Sequence, residues 1–394
     1  MSEEEKKKAR VAVVGCGSWT QGWHLPNLSN REDATIVALV DPNEQPGVGG
    51  LLPDLCQSMG EICAKYGDAK RYRSVEELLA DDEDLKLDGV LVAVPHSSHA
   101  SVGGAVIRAG KHLLMEKPMT ADVDEALELH ALSKERPHQA FLLNNTANWQ
   151  PGTIAAYEAV SGGKIGTLRH ISCIFAASLG WLFEGTEHGS WTNLSGSMVG
   201  NGFGWGQFSH TFAWIFKVTG LTPKLVYCSS TVSEKTGADL YNAVVITCTN
   251  GCTINASGVG VCPDQGFKVV GNWLFGTEGM MSYNCMGSDN DNTVEIDKEG
   301  DDQQTAGSAG GAPRLEIWTN DGKHEVEPPV EFEHIDQDGT GPGSLDAFVK
   351  ACNGLEYFNG AGPVEGLKAV CAIDAMYRSA KSGRAEDVRG CDGL

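Results

Sequence analysis

Between Arg10 and Asn144, short apolar runs alternate with stretches of helical period. The runs Val11–Val14, Thr35–Val40, Gly89–Val94, His112–Met115 and Ala140–Leu143 are nearly free of polar interruptions, as strands covered on both faces are. Helical patterns fall between them, over Gly22–Ser29, Asp54–Tyr66, Val75–Leu79, Ser98–Ala109 and Asp122–Ser133. The alternation predicts an α/β Rossmann domain, a doubly wound parallel sheet over residues 1–144. A ligand site in such a sheet lies at the carboxyl ends of the strands.

The pattern changes after Pro151. Helices are expected over Gly152–Val160 and His210–Val218. Strand-like runs cover Thr167–Ala177, Lys224–Val232, Tyr241–Thr249, Cys252–Val259, Phe267–Gly276, Met280–Asn284 and Leu315–Thr319. Two further helices, Ser344–Asn353 and Val364–Ser382, close the chain, and Asp289–Pro313 reads as an exposed loop or hairpin tip. Residues 145–394 are therefore expected to form an α+β domain on a largely antiparallel sheet with one open face.

Composition narrows the partners. The 394 residues carry 52 acidic and 30 basic side chains, a formal charge of −22. That balance disfavours nucleic acid and anionic membrane surfaces, and no run approaches the roughly 20 apolar residues of a spanning helix. The start, MSEEEKKKAR, is charged throughout and has no apolar signal core, so a cytoplasmic protein is expected. Twelve scattered cysteines without a CxxC pair are expected to be reduced thiols.

Two motifs carry chemistry. The first predicted strand breaks into Gly15-Cys-Gly17-Ser18-Trp19 ahead of a helix, although Thr20 occupies the place of a third glycine. Such a turn lets the backbone approach a pyrophosphate, and the bland alternative is an ordinary tight turn. The second strand ends in Asp41, 24 residues after Gly17, near the interval of a carboxylate that binds ribose hydroxyls. No Arg follows in Asp41-Pro-Asn-Glu, so NAD is preferred as cofactor, with NADP the other option. The second motif joins Val94-Pro95-His-Ser-Ser-His99 to Ala109-Gly-Lys-His-Leu-Leu-Met-Glu116-Lys117-Pro118, both at strand ends and so on the crevice rim. A lysine there can polarise a substrate oxygen, or can equally sit in a solvated turn.

These elements, with His24-Leu-Pro, resemble the Gfo/Idh/MocA (glucose–fructose oxidoreductase / inositol dehydrogenase) family. The resemblance recurs at Val364-Glu-Gly-Leu-Lys-Ala-Val and Tyr377-Arg-Ser-Ala. It implies hydride transfer between a nicotinamide and a hydroxyl or carbonyl of a sugar, polyol or related diol. It also implies nucleotide contacts from Gly15, Gly17, Ser18, Trp19, Asp41, Val94, Pro95, His99, Glu116 and Lys117, with Lys117 the catalytic lysine. The family's second motif is an Asp followed four residues later by His. Here the segment is Gly206-Gln207-Phe-Ser-His210, so the His is present and the Asp is replaced by glycine. The resemblance makes His210 catalytic, against a satisfied core histidine, with Gln207 or a backbone carbonyl setting its tautomer. Other family reactions stay open: an NAD-dependent glycosidase using transient oxidation, and a non-enzymatic nucleotide-binding regulator. Pairing through the open sheet implies a homodimer or homotetramer.

The segment Trp181–Asn193, with His188 and Trp191, places aromatic faces beside carboxylates and amides, as a sugar-binding loop or a subunit contact does. Asn145 and Trp149, just past the last Rossmann strand, are further candidate substrate contacts. No metal is expected. The histidine spacing fits no zinc pattern, and Asp289-Asn-Asp-Asn lacks the glycine and glutamate of a calcium loop.

Overall fold

The computed structural model of the chain describes residues 7–47, 56–185, 202–262, 267–288, 314–326 and 342–394. The N-terminal sheet has six parallel strands: β1 (Ala9–Val14), β2 (Ala34–Val40), β3 (Lys70–Tyr72), β4 (Gly89–Val92), β5 (His112–Met115) and β6 (Phe141–Leu143). Their order, β3-β2-β1-β4-β5-β6, reverses direction between β1 and β4, which opens a crevice at the strand ends there. The apolar runs are buried on both faces, as expected. Strand β3, a charged three-residue edge strand, carries no apolar signal and was not expected.

The second sheet has nine strands in the order β14-β13-β12-β11-β7-β10-β9-β8-β15. They are β7 (Leu168–Ala177), β8 (Pro223–Val232), β9 (Asp239–Cys248), β10 (Thr253–Val259), β11 (Phe267–Gly276), β12 (Gly279–Ser288), β13 (Arg314–Thr319), β14 (His324–Val326) and β15 (Glu386–Asp387). All neighbours are antiparallel except β7 and β10, which run parallel at the centre. From Leu240 onward the residues of β9 alternate, with Asn242, Val244 and Ile246 buried while Tyr241 and Val245 are exposed. Tyr227 and Phe275 are exposed on β8 and β11. One sheet face is thus open, and the other packs under helices Pro151–Ser161, Ser209–Thr219 and Pro363–Ser382. Helix Ser209–Thr219 is apolar nearly all round and ends at Gly220 with φ +67°. The carbonyls just beyond it are met by the buried Lys368, which donates from Nζ to Gly220 O (3.2 Å) and Leu221 O (3.0 Å).

The boundary near residue 144 is crossed by the end of the chain. Helix Gly343–Cys352 returns to pack on β1, β5 and β6, so the first domain is completed by residues expected in the second. Gly89 sits directly beneath it, where a Cβ would come within 2.6 Å of Cys352 Sγ and 2.7 Å of Phe348 Cζ. Asp289–Pro313 lies outside the described residues. No helix is long and apolar enough to cross a membrane, and no disulfide forms among the described residues.

Candidate active site

The crevice starts at the turn after β1. Gly15 has φ +90°, and a Cβ there would lie 2.2 Å from Ala93 O, so strand β1 can run this close to the β4 end only with glycine. Gly17 faces open space, which leaves its backbone accessible to an approaching phosphate. Thr20, in the third-glycine place, donates its hydroxyl to Gly15 O (2.7 Å) and braces the turn. Gly15→Ala is expected to cost about 3 kcal/mol or more through the clash and the positive φ. Urea unfolding reads that loss.

At the tip of β2, Asp41 is nearly buried and its carboxylate is fixed by two backbone donors. Cys16 N donates to Oδ2 (3.0 Å) and Asn43 N to Oδ1 (2.9 Å). The first donor belongs to the glycine turn itself, so the acid and the turn are one rigid unit.

The helix after the turn contains a π segment, Thr20–His24, followed by Leu25–Ser29. Pro26 lacks the N–H that a regular helix would use one turn back, which accounts for the wider coil. His24, within it, is buried and meets Glu116 at the end of β5. Glu116 is a hub: its Oε1 accepts from His24 Nε2 (2.8 Å), Trp19 Nε1 (2.8 Å) and Asn144 Nδ2 (2.7 Å). Burial pushes the Glu116 carboxyl up, but His24, Lys117 and Asn144 outweigh it and hold the group at about 2. Trp19 is 53% exposed, stacks on Trp23 at 5.7 Å, and forms a flat wall at the crevice mouth.

Lys117 follows Glu116 and precedes a cis peptide to Pro118. Its Nζ crosses to the second domain and donates to Gly206 O (3.0 Å). The residue that lacks the acid therefore supplies its main-chain oxygen. Gly206 lies in a π turn, Gly204–Phe208, that leads into helix Ser209–Thr219. His210, one step into that helix, is buried. Asn145, just past β6, ties the same junction, donating Nδ2 to Ser209 O (3.2 Å). No hydrogen bond among the described residues joins Gln207 to His210; Gln207 is partly exposed beside it.

Two expected contacts take other places. His99 is fully enclosed, with Nδ1 2.8 Å from Pro118 O and Nε2 3.0 Å from Val94 O. It pins the Val94-Pro95 turn to the Lys117-Pro118 turn from below instead of facing the crevice. Trp149 is a packing residue: Gly343 and Gly360 lie against it and its Nε1 donates to Leu143 O (3.2 Å). His188 and Trp191 lie outside the described residues. Sequence reasoning missed the hub role of His24 and Asn144, and its only signal was His24 within the His24-Leu-Pro motif. Among the described residues no cluster of His, Cys, Asp or Glu is arranged to hold a metal ion.

Comparison with known proteins bears on the family of the first domain and on the fold of the whole chain. Residues 9–143 match the model of the Gfo/Idh/MocA oxidoreductase family, NAD-binding Rossmann fold. The N-terminal domain belongs to the Gfo/Idh/MocA family. An uncharacterised oxidoreductase of Synechocystis sp. is 29% identical over 214 residues, 52% of this chain and 51% of that protein. The chain thus spans about half the length of that curated relative. The fold of the whole chain is shared more widely. The aldose-aldose oxidoreductase of Caulobacter crescentus, solved with glycerol, superposes with TM-score 0.68 at 18% identity, over 97% of this chain and 100% of that one. A levoglucosan dehydrogenase solved with NADH and levoglucosan gives 0.69 at 16%, over 97% and 100%. The Gfo/Idh/MocA domain is therefore joined to a sheet domain of the same fold as in these two proteins.

Proposed function

We propose that the protein is an NAD-dependent dehydrogenase or reductase acting on a hydroxyl or carbonyl of a sugar, polyol or related diol. The observation that carries this reading is the reach of Lys117 across the crevice to Gly206 O, four residues before His210. A cation from the nucleotide domain and an imidazole from the sheet domain thereby converge at one seam. Similarity to proteins solved with glycerol and with levoglucosan supports the substrate class.

The residues present fit a dinucleotide. Gly17 leaves its turn open to the pyrophosphate, and Asp41 offers a fixed carboxylate to the ribose diol while repelling a 2′-phosphate. When bound, the nicotinamide supplies a hydride acceptor or donor. Lys117 would hold the substrate oxygen, stabilising negative charge as its proton departs. His210 would take that proton in oxidation and return it in reduction. Trp19 and Glu116 wall the crevice, and Asn145 ties the domains behind it. The open sheet face, with Tyr227, Tyr241 and Phe275, supports pairing of two copies.

Titration with NADH and NADPH, read by energy transfer from tryptophan to the reduced nicotinamide, tests the cofactor. Saturable binding that favours NADH is expected. Asp41→Ala should weaken NADH about tenfold or more, since charged hydrogen bonds are lost, and NADPH less. Equal losses for the two would remove Asp41 as the ribose reader. Production of NADH from NAD with a panel of polyols tests the reaction.

A further inference from the structure

We propose that Asp239, at the start of β9, is a positioning residue that seats the Gly202–Phe208 turn, and so sets the oxygen that Lys117 meets and the entry of His210 into its helix. This rests on the dehydrogenase reading above, and supplies a support that the missing acid at Gly206 leaves open. A main-chain acceptor is only as well placed as its turn, and a π turn is a wide, weakly braced one.

Asp239 is buried and receives three donors. Gly204 N donates to Oδ2 (2.9 Å), Asn242 Nδ2 to Oδ2 (2.6 Å) and Tyr377 OH to Oδ1 (2.7 Å). Gly204 lies two residues before the oxygen held by Lys117. The glycines of this run are explained by the same seat. Gly202 has φ +132°, and a Cβ on it would be 2.2 Å from Asp239 Oδ1. A Cβ on Gly204 would be 2.4 Å from Met376 Cε and 2.6 Å from Tyr377 OH. Trp205 stacks on Tyr377 at 5.9 Å, so the ring that donates to Asp239 also holds the next residue of the turn. The turn closes with Gly206 N donating to Gly202 O (2.8 Å). Burial pushes the Asp239 carboxyl above the ordinary carboxylate range, and the bonds from Tyr377, Asn242 and Gly204 offset only part of that rise.

The test follows Lys117 itself and needs no substrate. Full-length protein is labelled with trinitrobenzenesulfonate at pH 8, and the Lys117 and Lys368 peptides are quantified by mass spectrometry. Displacing the oxygen to which Nζ donates leaves the amine more open to the reagent, so Asp239→Ala should raise Lys117 labelling about fivefold. Buried Lys368 reports general loosening and should not change. Asp239→Asn keeps a carbonyl for Gly204 N and should return Lys117 labelling to within about twofold of the parent. Gly204→Ala, which lifts the turn by sterics alone, should reproduce the rise. It decides the matter with Tyr377→Phe if Asp239→Ala does not fold. Unchanged Lys117 labelling in the folded variants, or an equal rise at Lys368, overturns the proposal. NADH titration of the parent is read separately: its failure would overturn the nucleotide reading without altering the labelling result.

Discussion

Lys117→Ala is expected to lower turnover about 10²- to 10⁴-fold while leaving NADH affinity within about twofold. The Nζ lies at the seam of the domains, 3.0 Å from Gly206 O, while Gly17 and Asp41, the groups proposed to bind nucleotide, lie along the β1 and β2 ends. The loss should therefore fall on the chemical step, not on cofactor affinity. Lys117→Arg retains charge but spreads it over a wider planar group, and should recover little. The rate of NADH formation with the most active polyol of a screen provides the measurement. Turnover within about tenfold of the parent would remove Lys117 from the chemistry.

Glu116→Gln should cost about 3 kcal/mol of stability. The carboxylate gathers donors from the helix after β1, through His24 and Trp19, and from the end of β6, through Asn144. Asn144 in turn accepts from Ser344 Oγ (2.5 Å), so the hub reaches the returning helix as well. A glutamine has one acceptor oxygen and turns an NH₂ group toward a donor. The acid limb follows from the same network. Glu116 titrates near 2 in the folded chain and near its ordinary 4.5 when unfolded, so below 4.5 the unfolded chain takes up the proton first. Its contribution is complete above pH 4.5 and fades as pH falls toward 2. Urea midpoints of parent and Glu116→Gln should therefore converge across that window. A constant gap from pH 6 to pH 2.5 would refute the assignment.

Much of this was legible because it rests on local pattern. Strands β1, β2 and β5 begin and end within two residues of their apolar runs, since a strand buried on both faces cannot hide its composition. The glycine turn, Asp41 and Lys117 could be singled out because strand ends fix where the crevice must be. What stayed hidden is held by distance. His24 and Glu116 are 92 residues apart, and Gly204 and Asp239 are 35 apart. Each is an ordinary polar residue until the fold joins them. Trp149 was misplaced for a related reason: its position after β6 suggests the pocket, but Gly343 and Gly360 approach from the far end of the chain and enclose it. The parallel pairing of β7 with β10 is equally silent, because parallel and antiparallel neighbours share the same alternation.

The returning helix Gly343–Cys352 has a consequence for the chain as it is made. Asn144 and Ser344, which bond in the finished protein, are separated by 200 residues. At about 5–20 residues per second, a ribosome takes roughly 10–40 s to deliver the second after the first. Throughout that interval the nascent nucleotide domain shows the apolar sheet surface around Gly89 that Phe348 later covers. The cover of the six-stranded sheet is therefore completed only when its last helix emerges.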